Sequence, residues 1–330
     1  VSIVANTGSI DVGGKITAKT DVEMEAKTGI NTDGNVTAGE NIVQTVTGDG
    51  TITNGDGLSA GKSLTEIIQG KGDLHVTNSI NVGQDMNLTT NNGSVTLDLP
   101  NSSNIDGNMY VTAINGDANI NGYLGLGGDG VIRTENGDVN FNGSLTNPND
   151  TSSITMEATN GNINNNVNIN SAGNVTERTI GVGDIINQGY IYTKKDITLS
   201  ADQGNVAVLN GSDLYSSQGT ITLGANNGDI YADNIDGENV NIFLGSHDTG
   251  ALTGNITVGT KLGYEGDNFL SVYINQRDGY TNPLHIDATG AGGNQAMNTF
   301  FLTQVTAPNG IIMDRLWSNY AIINAIVPKL

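Results

Sequence analysis

The sequence predicts an all-β chain wound as a right-handed parallel β-helix, a β-solenoid of about 22 residues per coil with three short strands per coil. Three observations carry this expectation. A glycine followed by a small polar residue and then Ile or Val returns at a near-constant interval. Short runs of alternating apolar residues lie between these returns. Turn-forming residues crowd every gap between the runs.

The interval comes first. Twelve glycine anchors, Gly8, Gly29, Gly50, Gly72, Gly93, Gly116, Gly137, Gly161, Gly183, Gly204, Gly228 and Gly254, span 246 residues at spacings of 21 to 26. The second residue after each anchor is apolar in 11 of 12 cases, Asn31 being the exception, although hydrophobic residues are only 36% of the chain. "NNGSVTLDL" at 91–99 and "NNGDIYADN" at 226–234 therefore read as the same corner and strand of different coils.

A single coil shows the plan. "GNVAVLNGSDLYSSQGTITLGANN" at 204–227 holds three alternating runs, Val206 to Leu209, Asp213 to Ser216 and Thr220 to Leu223, separated by Asn-Gly, Ser-Gln-Gly and Gly-Ala-Asn-Asn corners. Asn and Gly tolerate positive φ, so these are natural bends, and alternation puts Val206, Val208, Ile221 and Leu223 on one side. Strands of about four residues must hydrogen-bond to the coils above and below, with Ile, Val and Leu stacking into ladders through a narrow interior. Composition agrees. There are 46 glycines, 5 prolines and 5% aromatic residues, too few large side chains for an ordinary core yet too much patterned Ile and Val for disorder.

Charge and residue usage exclude several functions. With 34 acidic against 13 basic residues the formal net charge is −21, so there is no basic patch to neutralise nucleic-acid phosphates. Cysteine is absent, which removes disulfides, thiolate metal sites and thiol catalysis. No apolar run reaches the roughly 20 residues that span a bilayer. The chain opens on Val1 with no basic or apolar leader after it, and reads as a mature or excised piece.

Candidate chemistry is sparse. Glu23 and Glu25 lie one strand step apart and so face the same way, as two sugar-hydrolysing carboxylates would, but exposed alternating acids are also what a solvated strand face shows. Lys194-Lys195, the one adjacent basic pair, falls at a corner. His75, His247 and His285 each lack a second ligand at metal-binding spacing. "GGDG" at 127–130 is one copy of a Ca²⁺-type motif without its tandem period, and "GLGGDG" precedes no helix, so neither a Ca²⁺ repeat nor a dinucleotide site is expected; Ca²⁺ at scattered surface carboxylates stays open. The tract at 160–174, "NGNINNNVNINSAGN", offers amides suited to sugar hydroxyls, or more plainly to stacking at coil corners. Sequons begin at Asn35, Asn87, Asn174 and Asn255. No catalytic, cofactor-binding or metal-binding residues are assigned, and no cofactor is expected.

The degenerate starts "NTGSIDV", "NNGSVTL", "ENGDVNF", "TNGNINN" and "NNGDIYA" resemble those of filamentous haemagglutinin-type adhesins, with the long leukotoxin-type filamentous adhesins of Gram-negative bacteria nearest in flavour. The resemblance covers about residues 1 to 260 and, more loosely, "NPLHIDATG" onward. It implies a non-catalytic, extracellular or cell-surface rod. Such a rod is exported across the outer membrane by a partner transporter or as an autotransporter passenger and used in attachment or biofilm cohesion through a surface receptor or carbohydrate. A polysaccharide-binding or polysaccharide-cleaving β-helix and a subunit of an extracellular filament or surface layer are the competing readings.

The last stretch departs from the pattern. Residues 1–263 read as a regular shaft, whereas 264–330 hold 8 of the 16 aromatic residues and 3 of the 5 prolines, and the anchor fails there. Strand-like runs persist at 284–288, 300–305, 311–313 and 321–327, so a β-helix continuation with longer loops, such as "TGAGGNQAMN", is expected, as a cap or junction. The uncharged run 321–327 would expose a strand edge, which predicts a covering coil or end-to-end self-association.

Overall fold

The computed structural model describes residues 1–225 and 228–244, followed by strands at 255–262, 271–276, 284–287, 300–306, 311–314 and 321–326; side chains are described through residue 235, apart from 210, 226, 227, 233 and 234. Every element is a β-strand, and the strands pair in parallel as a β-solenoid of about ten turns, roughly 22 residues apart. Two compact units divide the chain, Val1–Gly161 and Asn162–Leu330. The boundary expected at 263 lies outside the described residues.

In the first unit each coil lays down one strand on each of three sheets. The second coil is Val22–Ala26, Gly29–Thr32 and Val36–Ala38; the third is Ile42–Val46, Thr51–Asn54 and Leu58–Ala60. Like positions stack on like. Ile10, Ile30, Ile52, Leu74, Val95, Ala118 and Val139 follow one another in register along the second sheet, all buried. The ladder corrects one assignment: Ile30, not Asn31, is the equivalent of Ile10. The true corner residue of that coil is Thr28, in register with Gly8 and Gly50, so the exception disappears once the anchor moves back by one.

The second unit repeats the plan with Ile163, Ile185, Val206 and Ile230 in one ladder, which continues in backbone register to Ile256. Val206, Val208, Ile221 and Leu223 are all fully buried, on the side alternation assigned them. Towards the chain's end the strands Leu284–Asp287, Phe300–Thr306, Ile311–Asp314 and Ala321–Ile326 are present and pair in parallel. The "TGAGGNQAMN" loop lies outside the described residues. Among the described residues Phe141 is the one aromatic side chain in the core, as a narrow interior requires.

The repeated motif has a steric and a polar cause. A Cβ placed on Gly116 would lie 2.2 Å from the Gly93 carbonyl oxygen, and one on Gly137 would lie 2.2 Å from that of Gly116. The corner glycines are selected chiefly because backbone sits on backbone; positive φ, expected at the corners, is found among the described residues at Gly211 of the Asn-Gly corner, at Gly29, Gly72 and Gly122, and at Asn78. At six of these corners the residue after the glycine supplies an acceptor to the next coil. Asp73 Oδ1 takes the Ser94 N–H at 2.7 Å, Ser94 Oγ takes that of Asp117 at 3.1 Å, and Asp117 Oδ1 takes that of Asp138 at 2.8 Å. In the second unit Asn162, Asp184 and Asn205 do the same for Asp184, Asn205 and Asp229. Serine, aspartate and asparagine share that position because each carries a short acceptor.

Val206→Asp, which buries an unpaired charge, is expected to cost several kcal/mol, whereas Ala207→Asp on the half-exposed side is expected to be nearly neutral; thermal denaturation of the two variants decides the register. Gly116→Ala is expected to cost about 1 to 3 kcal/mol because the clash is with backbone, while Gly8→Ala, with open space around its Cβ, should leave the melting temperature unchanged.

Candidate functional site

Polar side chains on the outside are largely committed to holding coil to coil. Asn115 donates to Asn92 Oδ1 at 3.0 Å, Asn136 to Asn115 at 2.8 Å, and Asn160 to Asn136 at 3.1 Å. Against this amide background a strip of tyrosines stands out on the third sheet of the second unit. Ile191 points into the core, so Tyr190 and Tyr192 on either side of it point out, 40% and 37% exposed. Their rings stack at 5.8 Å with 14° between planes, and Tyr215, the register partner of Tyr192 one coil on, adds a tilted ring at 5.9 Å.

One coil earlier, exposed Asn170 is in register with Tyr192, and Asn168 accepts the Tyr190 N–H at 3.1 Å. Burial, then the Asp213 charge and Tyr190, push the Tyr192 hydroxyl up, so it remains a neutral donor. Flat apolar ring faces beside neutral amides are the surface that a sugar ring, apolar on its C–H face and rimmed by hydroxyls, can cover.

The first unit carries a second neutral surface, an open groove between coils lined by Asn81, Ser102, Asn104, Tyr123, Ser144 and Thr146, with Tyr123 61% exposed. It forms where the strand Val95–Ile105 bulges between Leu99 and Ser103. Nearby on the second sheet His75 Nε2 meets Asp98 Oδ2 at 2.8 Å. Burial pushes the Asp98 carboxyl up, but hydrogen bonds from Asn121 and His75 and the His75 charge outweigh it and hold it below the usual carboxylate range.

The residues singled out in the sequence are dispersed. Glu23 and Glu25 are exposed on the outer side of the strand Val22–Ala26. Lys194 and Lys195 are exposed at the corner after Ile191–Thr193. In "GGDG", Gly127 stacks on Asp106, Gly128 on Gly107, and Asp129 Oδ1 takes the Ser153 N–H at 2.7 Å. Of the asparagine tract, Asn162 and Asn174 accept backbone N–H groups of the next coil, Asn165 is buried, and Asn168 and Asn170 reach the tyrosine strip. Asn35, Asn87 and Asn174 are exposed; the side chains of His247, Asn255 and His285 lie outside the described residues. Among the described residues no three His, Asp or Glu side chains gather as a metal site, and no helix is long and apolar enough to cross a membrane.

The sequence did not reveal two interior carboxyls. Glu66 and Glu177 are fully buried, each in the middle of a first-sheet strand, Leu64–Lys71 and Asn174–Val182. Asn54 donates to Glu66 Oε1 at 2.8 Å, and Asn165 to Glu177 Oε1 at 2.9 Å. Asn54 Oδ1 accepts in turn from Thr32 Oγ1 at 2.7 Å and Gln44 Nε2 at 3.0 Å. Desolvation by burial, only partly offset by the asparagine bonds, pushes Glu66 up to about 8 and Glu177 up to about 7. The recoverable signal was an asparagine twelve residues before each glutamate.

The fold and its surface define the class: a parallel β-solenoid whose exterior is tied by axial side-chain ladders and carries exposed tyrosines. No protein-family model, no curated protein and no solved structure matches the chain.

His75→Ala is expected to move the Asp98 titration upward, towards the ordinary aspartate range, because it removes a hydrogen bond and a neighbouring positive charge; carboxyl carbon shifts followed by NMR against pH would show it.

Proposed function

We propose that this chain is a non-catalytic shaft segment of a secreted or cell-surface bacterial filamentous adhesin, and that the tyrosine strip at Tyr190, Tyr192 and Tyr215 is its contact for neutral glycans. The observation that supports this reading is the strip itself: stacked rings beside Asn168 and Asn170 on a surface whose amides largely bridge coils. The resemblance of the repeat to filamentous haemagglutinin-type adhesins supports the extracellular setting and export through an outer-membrane transporter. Ladders that repeat each coil suit a spacer that holds a contact surface away from its anchor.

Acidic polysaccharides fit the strip poorly, since a net charge of −21 repels them. The test is binding of the purified chain to immobilised neutral and acidic oligosaccharides. Neutral glycans should bind, and Tyr192→Ala should weaken them by about tenfold, the upper range for one aromatic stacking contact. Binding unchanged in the Tyr190→Ala, Tyr192→Ala double variant would remove the strip from the proposal. Release of reducing or unsaturated ends from any polysaccharide would replace the shaft by an enzyme.

A further inference from the structure

The two interior glutamates leave a pattern of orphaned atoms that one assumption resolves. Among the described residues Glu66 and Glu177 are the only buried side chains of an ionisable type. In each carboxyl one oxygen is bonded to asparagine and the other, Oε2, has no partner; Gln44 Oε1 and Asn187 Oδ1 have none either. All four are acceptors if the glutamates are ionised, and turning either amide over would set Gln44 Oε1 against Asn54 Oδ1 or Asn187 Oδ1 against the Gly189 carbonyl.

Geometry links the orphans in pairs. Gln44 and Glu66 are register partners on adjacent coils of the first sheet, within side-chain reach at the roughly 4.8 Å spacing of parallel strands. Glu177 and Asn187 hold the places that Gln44 and Asn54 hold in the first unit: a middle inward residue of the first sheet, and the inward residue of the second sheet ten positions later. Gln44 fills its place by donating Nε2–H to Asn54 Oδ1 at 3.0 Å. Glu177 can do the same for Asn187 Oδ1 only if it carries a proton.

We propose that Glu66 and Glu177 are folded in as neutral carboxylic acids that donate to Gln44 Oε1 and Asn187 Oδ1, and that these two protons make the solenoid lose stability as pH rises from the acid range through neutrality. Each proton turns a pair of orphaned acceptors into one hydrogen bond, and no buried charge remains to be solvated. Nothing nearby competes. The inward residues packed around Glu66 are Gln44, Leu88, Asn54 and Val76, with Leu58, Ala60, Ile80 and Val82 on the third sheet; those around Glu177 are Leu199, Asn165 and Asn187, with Ile169, Ser171, Ile191 and Thr193. None titrates. The charged neighbours on their own strands, Lys71 and Arg178, are exposed.

Burial raises both folded-state values above the unfolded value of 4.5, so the folded chain holds protons that the unfolded chain has released. This stability is full below 4.5 and is lost as pH climbs through about 7 for Glu177 and about 8 for Glu66.

Two measurements test it. Infrared difference spectra of the wild-type chain against the Glu66→Gln, Glu177→Gln double variant at about pH 6 should show the carbonyl stretch of protonated carboxylic acid in the wild type alone. Thermal melts from about pH 5 to about pH 9 should show the wild-type midpoint falling more steeply than that of the double variant, whose amides donate at any pH. Equal slopes, or no acid carbonyl band in the wild type, would overturn the proposal. So would a wild-type midpoint that follows sodium or potassium concentration at fixed ionic strength, because a cation would then occupy the proton's place. If the double variant does not fold, the wild-type acid band against pH decides alone: it must fade between about pH 7 and pH 9.

Discussion

Stacking of each residue on its own equivalent one coil away is the constraint on which everything else here depends. Strands of three to five residues, such as Val36–Ala38 and Val22–Ala26, have no independent stability and exist because a parallel neighbour completes their hydrogen bonds on either side. Repetition of position then forces repetition of chemistry. An inward valine lands on an inward isoleucine, a corner glycine on a corner glycine, and an exposed asparagine on another asparagine's carbonyl. What looks like low complexity in the sequence is the record of a lattice with one-residue tolerance.

The same constraint explains what could be read from residues alone. The second-sheet ladder was visible because its members are apolar and follow the densest motif, and even its one misfit, Asn31, was a displacement by a single position. The tyrosine strip was hidden because aromatic residues in "YIY" look like any strand until Tyr215 is placed in register with Tyr192. The interior acids were hidden more thoroughly. In "LTEIIQ" the apolar residues Ile67 and Ile68 are adjacent, so local alternation leaves the phase open, and the coil register is what puts Leu64, Glu66 and Ile68 inside. Glu177 sits beside Arg178, which makes an ordinary surface pair in the sequence and two opposite faces in the structure.

Buried polarity in this interior is organised. Thr32, Gln44, Asn54 and Glu66 occupy adjacent inward places on two sheets and bond chiefly to one another, interrupting an otherwise aliphatic column. Asn165, Glu177 and Asn187 form a comparable island in the second unit, with Asn187 Nδ2 donating to the Gly189 carbonyl at 2.9 Å. Aliphatic ladders are tolerant of sliding, because one methyl group serves as well as another. Polar islands have directional partners, and a coil that slipped by a residue would strand them without donors.

The corner ladders also have a direction. In each contact the acceptor belongs to the earlier coil and the N–H to the later one: Asp21 to Asn41, Asp85 to Asn108, Asn108 to Asp129, Asn174 to Asp196, Asp196 to Thr220. In these side-chain contacts a finished turn presents a row of waiting oxygens to whatever chain follows it, while its backbone N–H groups still wait for the next coil's carbonyls, as Ile16 does for Asn35 and Val36 for Gly57. A polypeptide delivered from its amino end could be wound like thread onto a spool, each turn cut to receive the next. The same chain fed from its carboxyl end would set out the N–H groups of these corner contacts first and bring their side-chain acceptors with each new turn.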